Sequence, residues 1–172
     1  MNHENVDPPS APPRVWIDIV AEPLDTGAVL SFVADDRAGA TVLFSGTVRD
    51  HSPGRTGVSH LEYEAYDDVV SDKIHEVVAE AFNRWDIFRV AAVHRVGELG
   101  VGESAVMVAV SSAHRSDAFP AGQYVIDELK HRAPIWKKEH WDDGAEWVRE
   151  DQEHQRTEDR GPRTEDRGQS TE

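Results

Sequence analysis

The 172-residue chain has no cysteine and only four lysines, and nowhere do eighteen apolar residues run together. The missing cysteine excludes disulfides, thiolate metal sites and any sulfur relay carried on the chain's own thiols. Without a long apolar run there is no membrane-spanning helix. Residues 1–14 also lack the basic and then apolar regions of a secretory leader, so a soluble, cytoplasmic protein is expected. Positive charge is scarce: 18 Lys and Arg stand against 33 Asp and Glu, a formal net charge of −15. A nucleic-acid partner needs a positive footprint that releases counterions from phosphates, so this balance argues against one, and against anionic membrane surfaces as well. Such a carboxylate excess resembles the surface of proteins working in concentrated salt, where the screening length falls to about 3 Å at 1 M. An acidic, halophile-like surface is therefore a further expectation.

The apolar fraction of 38% suffices for one domain with a real core. Residues 1–14, which include Pro8, Pro9, Pro12 and Pro13, are expected to be a disordered proline-rich tail. At the other end, Arg156–Pro162 is followed at once by the near-copy Arg163–Gln169, without an apolar residue. Residues 149–172 thus read as a disordered charged tail with a seven-residue duplication, too polar to stack as a solenoid. The folded domain spans 15–148.

Within it, extended and helical patterns alternate. Val15, Ile17 and Ile19 alternate with Trp16, Asp18 and Val20 as in a strand, and Asp25 can cap a short helix through Ala34. Thr41–Val48 is β-rich and ends in a polar, glycine-bearing stretch, Asp50–Gly57, expected to be a mobile loop. Val58–Tyr66 predicts a strand with Leu61, Tyr63 and Ala65 on one face. From Asp67 or Asp68 a helix follows, because Val70, Ile74, Val77, Val78, Ala81, Phe82 and Trp85 recur at helical spacing. Strands near Arg89–Val96 and Ser104–Ser111 flank a turn at Gly100–Gly102. A second long helix is expected after Ser116-Asp117 as far as His131, with Phe119, Ile126 and Leu129 inward, stopped by Pro134. These elements predict an α+β fold with a largely antiparallel sheet and packed helices.

Three of the four lysines, Lys130, Lys137 and Lys138, fall within nine residues, beside His131 and Arg132. Retaining a cationic cluster against an acidic field points to a bound anion. A lysine beside another cation in a partly dry site loses basicity and becomes able to act as acid, base or nucleophile. His114-Arg115 ends a strand and precedes a helix N-terminus, where orphan N–H groups and the helix dipole favour an anion. Arg49, at the end of another strand, offers a planar fork for phosphate. Metal chemistry is not indicated: the nine histidines include no His-Glu-x-x-His pair. Nor do the glycines form a phosphate loop or dinucleotide fingerprint, and no serine sits in a nucleophile elbow.

Five segments, Gly39–Arg49, Leu61-Glu62-Tyr63, His94–Leu99, Ser112-Ala113-His114-Arg115 and Leu129–Glu139, resemble, in order, the catalytic (large) subunit of molybdopterin synthase. The likeness spans roughly Val15 to Val148. It implies an α/β hammerhead-type fold and a homodimer within a heterotetramer. The partner implied is a small ubiquitin-like sulfur-carrier subunit, ending in Gly-Gly thiocarboxylate, whose tail threads into a pocket of the large subunit. The implied reaction converts cyclic pyranopterin monophosphate to molybdopterin by inserting two dithiolene sulfurs, with no cofactor. By motif, Lys130 and Lys137 are the catalytic residues. Arg49, His114 and Arg115 clamp the substrate phosphate, Thr47, Val48, Lys138 and Glu139 line the same pocket, and Phe44 packs near the incoming tail. Lys138 stands where the family often has arginine, keeping charge but losing bidentate geometry. A non-catalytic phosphate-ligand or protein-binding module of the same fold is the alternative.

Overall fold

The computed structural model describes residues 13–52 and 55–149. The tails expected at 1–14 and 149–172 lie outside the described residues, apart from residues 13, 14 and 149. In chain order the elements are β1 (Val15–Val20), α1 (Thr26–Val33), β2 (Ala40–Thr47), β3 (His51–Ser52), β4 (Arg55–Thr56), β5 (Val58–Ala65) and α2 (Asp67–Arg84). There follow β6 (Ile87–Arg95), β7 (Gly97–Gly100), β8 (Ser104–Ser112), α3 (Arg115–Arg132), β9 (Ile135–Trp141) and β10 (Gly144–Arg149).

Two four-stranded sheets carry the fold, in the orders β1-β6-β8-β2 and β10-β9-β5-β7. Every pairing is antiparallel except β1 with β6. The α+β class with largely antiparallel sheets is therefore what the chain adopts. The first sheet is apolar on both faces because helices cover both. Val29 and Val33 of α1 pack with Ala91, Val93, Met107 and Ala109 on one side. On the other, α2 and α3 press Val70, Ile74, Val77 and Leu129 against Val90, Ala92, Val108 and Val110. Burying such aliphatic side chains contributes about 1.5–3 kcal/mol each.

Local chemistry sets the helix ends. Asp25 accepts from the backbone N–H groups of Gly27 and Ala28 at 2.8 and 3.2 Å, satisfying two orphan donors of α1. Helix α3 starts at Arg115, earlier than the expected start after Ser116-Asp117, with His114 at the N-cap and no side-chain cap bond. It stops at Ala133, which turns extended before Pro134. Its buried stripe is Ala118, Ala121, Gly122, Val125, Ile126 and Leu129. Phe119, expected inward, is 61% exposed, because it lies about 100° around the helix from Ala118.

The second sheet differs most from expectation. Its short or charged strands β7 and β10 carry no strand pattern in the sequence, and the stretch Asp50–Gly57 holds a separate two-stranded ribbon, β3 with β4, pairing His51↔Thr56 and Ser52↔Arg55. Strand β9 was not anticipated either: Ile135, Lys137 and Glu139 point inward and Trp136 and Lys138 outward. A run holding two lysines and a glutamate does not advertise a buried face.

Candidate active site

A cleft of about 300 Å³ opens where the end of β2, strand β3, β5, β9 and the last turn of α3 meet. Strand β2 delivers Phe44, Gly46 and Thr47 to it. The pairing of β2 with β8 shifts register between Gly46 and Thr47, a bulge that re-aims the strand end and sends Thr47 and Arg49 to the cleft mouth. Gly46 is required there: a Cβ would stand 2.7 Å from Val106 Cγ1 and 3.2 Å from Phe44 Cε1. Lys130 arrives from the last turn of α3, and Lys137 and Glu139 arrive from β9.

Lys137 lies opposite Tyr63 and Glu139 opposite Leu61 in the β5–β9 register. Residues two apart on a strand share a face, so the ammonium and carboxylate meet, with 3.2 Å between Nζ and Oε1. The other Glu139 oxygen accepts from Ser52 Oγ at 2.8 Å. Both side chains are buried. A buried ion pair persists only with good geometry and further hydrogen bonds on its remaining atoms, and Ser52 supplies one. The cleft therefore combines Lys130, Lys137 and Arg49 with one internal carboxylate.

Of the ten site residues expected from the sequence, Phe44, Thr47, Arg49, Lys130, Lys137 and Glu139 line this cleft. The other four lie elsewhere in the chain. Val48 is 3% exposed and belongs to the core; its N–H donates to Glu103 O at 2.9 Å, and its carbonyl accepts from Gly102 N–H at 2.9 Å. It ties β2 to the β7–β8 turn and is not among the residues lining this cleft. Lys138 faces the opposite side of β9, 3.8 Å from Glu62 and above the Trp147 ring, because strand side chains alternate. His114 and Arg115 are exposed at the start of α3. Fifteen residues at 1.5 Å per residue set Arg115 about 22 Å along the helix from Lys130. Within one chain they do not join the cleft. Sequence reasoning also missed Ser52 and Tyr63 as cleft residues, since a serine in a polar loop and an inward tyrosine carry no signal of their own.

Among the described residues no group of three or more His, Asp or Glu side chains is arranged to hold a metal ion. None of the described helices is long and apolar enough to cross a membrane.

An α+β domain that gathers two lysines and an arginine around a buried carboxylate has the build of a domain with a cationic binding cleft. Comparison with known proteins narrows that class. A family profile described as "MoaE protein" matches residues 19–132. The molybdopterin synthase catalytic subunit of Staphylococcus carnosus is 45% identical over 132 residues, covering 76% of this chain and 87% of that protein. That of Escherichia coli is 44% identical over 128 residues, covering 74% and 85%. Among solved structures, molybdopterin synthase from Staphylococcus aureus superposes with a TM-score of 0.71 at 40% identity, covering 76% of this chain and 94% of that one. A complex of subunits 1 and 2 of the molybdopterin-converting factor from Helicobacter pylori shares the fold, with a TM-score of 0.65 at 20% identity, covering 77% and 89%. The chain belongs to the MoaE family.

Proposed function

We propose that the chain is the catalytic, sulfur-transferring subunit of a molybdopterin synthase and that the cleft is where cyclic pyranopterin monophosphate receives its two dithiolene sulfurs. The observation that carries this reading is the convergence of Lys130, Lys137 and Arg49 on one cleft in a chain of net charge −15. An arginine fork suits a phosphate, and two ammonium groups suit the carboxylate that remains when a thiocarboxylate gives up its sulfur. The chain has no thiol of its own, so the sulfur is brought in by a partner. That partner is a small ubiquitin-like subunit with a C-terminal Gly-Gly thiocarboxylate, working with this chain in the cytoplasm. The Helicobacter pylori complex of two converting-factor subunits supports such a pairing.

In this mechanism the carrier's tail enters past Phe44, and Arg49 and Thr47 hold the substrate phosphate at the mouth. Lys130 and Lys137 contact the terminal glycine and assist proton transfer or a transient acyl intermediate, while Glu139 holds Lys137 in place. His114 and Arg115, about 22 Å from Lys130 along α3, serve the cleft of a second copy. The working unit is then a homodimer carrying two small subunits, with each cleft built from both large subunits.

Reconstitution tests this directly. The chain is mixed with thiocarboxylated small subunit and cyclic pyranopterin monophosphate, and the dithiolene product is followed. Product is expected from the wild type and absent from the Lys130→Ala/Lys137→Ala double variant. Turnover that survives the double variant removes the proposed roles.

A further inference from the structure

Strand β6 buries a polar side chain that neither core packing nor the chemistry above uses. On the face toward α2 and α3 it presents Val90, Ala92 and then His94, which is 1% exposed. The cross-strand partners of His94 are Ile19 of β1 and Val106 of β8, and Val106 lines the cleft. The imidazole also meets Tyr63, another cleft residue, edge-on, with ring centroids 5.2 Å apart. His94 therefore stands one strand behind the cleft wall.

Its tautomer follows from its one bond. Nδ1 lies 2.9 Å from the carbonyl of Arg95, and a carbonyl only accepts, so Nδ1 carries the proton and Nε2 is a bare acceptor. Nε2 is buried and has no hydrogen-bond partner among the described residues. An orphaned buried acceptor is costly, and an aliphatic residue in its place would suit the core better. Burial lowers the imidazole pKa from 6.5 to about 4; the Arg95 carbonyl opposes this, and the positive charge of Lys130 adds to it. The ring faces Tyr63 from β5 and senses Lys130 from α3. Lys137, opposite Tyr63, has Glu139 as counter-ion, and the Arg95 side chain turns away to Glu103.

We propose that His94 is a positioning residue for Lys130: its unprotonated Nε2 is the acceptor for an N–H of the Lys130 ammonium when that side chain swings against the cleft wall. The inference rests on the role given to Lys130 above. A neutral acceptor suits the task, because a carboxylate there would cancel the ammonium charge and a protonated imidazole would repel it. No proton moves: the weak basicity of Nε2 leaves the proton on Lys130, and the bond only fixes where Nζ points.

The test compares His94→Leu and His94→Gln in the reconstituted reaction. With Leu, kcat falls about tenfold or more while the KM for the cyclic pterin stays within about twofold. The melting temperature of the Leu variant holds or rises, because an unsatisfied polar group has gone. Gln, whose amide oxygen accepts a hydrogen bond, restores most of the turnover. The limb of the pH–rate profile that belongs to Lys130 moves to lower pH in the Leu variant, since an acceptor favouring the ammonium is lost. Wild-type kcat and pH profile in His94→Leu would overturn the proposal, as would equal losses in Leu and Gln that track melting temperature. Lys130→Ala separates the two levels: activity without Lys130 defeats its role and this inference together. An inactive Lys130→Ala beside a fully active His94→Leu defeats the inference alone. Should the variants fail to fold, ¹⁵N NMR of the wild type decides. His94 must keep the neutral Nδ1–H tautomer across neutral pH, and its Nε2 resonance must move in Lys130→Gln; a resonance that ignores Lys130 overturns the proposal.

Discussion

Lys137 and Glu139 form an ion pair of 3.2 Å whose side chains are only 6% and 5% exposed. Two residues apart on β9, they turn the same way into the cleft, and Ser52 takes the carboxylate's other oxygen. The cationic character of the cleft therefore rests on Lys130 and Arg49 together with a lysine whose charge is locally balanced. This arrangement separates stability from chemistry in a way that mutations can read.

Glu139→Ala leaves the Lys137 ammonium buried without its counter-ion and should cost about 3–5 kcal/mol, measured by urea denaturation. Replacing the pair together, Lys137→Met with Glu139→Leu, should recover most of that stability yet leave the enzyme inactive. A double variant as unstable as Glu139→Ala would contradict the ion-pair account.

Lys138 and Lys137 are neighbours in sequence and opposites in placement. Lys138→Ala removes a partly exposed contact with Glu62, a surface pair worth about 0–1 kcal/mol, and should leave turnover within about twofold of wild type. Lys137→Ala should abolish most turnover. Equal losses at both positions, measured in the reconstituted assay, would contradict the alternation of β9.

Acid sensitivity divides between two groups. His94 is held neutral by burial, at about 4 against 6.5 when unfolded. Below 6.5 the unfolded chain takes up a proton that the folded chain refuses, so the associated stability is complete above about 6.5 and drains away toward about 4. Glu80 joins α2 to α3. The guanidinium of Arg132 foremost, then the hydroxyl of Tyr124, holds its carboxyl at about 2 rather than 4.5. Its contribution is present above about 4.5 and is lost as pH falls toward about 2. Denaturation midpoints between pH 7 and 5 should therefore fall less steeply in His94→Leu than in wild type, while Glu80→Gln changes the slope only at lower pH. Parallel slopes across all three proteins would contradict this division.

What the sequence made legible was whatever keeps one side chemistry per face. Helix α2 could be read from the recurrence of Val70, Ile74, Val77, Val78 and Ala81, all of them in the core. The α1 cap could be read from Asp25, and β5 from the alternation of Leu61 and Tyr63 with polar neighbours. Strand β9 could not, because its inward positions hold Lys137 and Glu139, which neutralise each other only after the strand has formed. Phe119 was misplaced because a large apolar side chain looks inward on a helix whose real stripe is made of alanines, Gly122 and aliphatics. Lys130, Lys137 and Arg49 were singled out from charge and motif, yet Val48 and Lys138 fall beside the cleft in sequence and away from it in space. Strand alternation decides Lys138, while Val48, one residue past the end of β2, is held in the core by its backbone bonds to Gly102 and Glu103, and segment-level resemblance resolves neither.

The excess of carboxylate makes salt a further lever. Self-repulsion in a chain of net charge −15 weakens as screening shortens, so the melting temperature should rise between about 0.1 and 2 M KCl. A melting temperature that falls throughout this range would contradict the halophile-like reading of the surface.

The central claim is that cations from two copies of the chain meet in each cleft, and mixing two inactive variants tests it most directly. Arg115→Ala and Lys130→Ala/Lys137→Ala proteins are unfolded together, refolded to exchange protomers, and assayed with thiocarboxylated small subunit. Each mixed dimer would then hold one cleft with intact lysines that receives an intact Arg115 from its neighbour. Half of the dimers should be mixed, so roughly a quarter of wild-type activity should return. Activity that stays at the level of the separate variants would contradict the shared cleft.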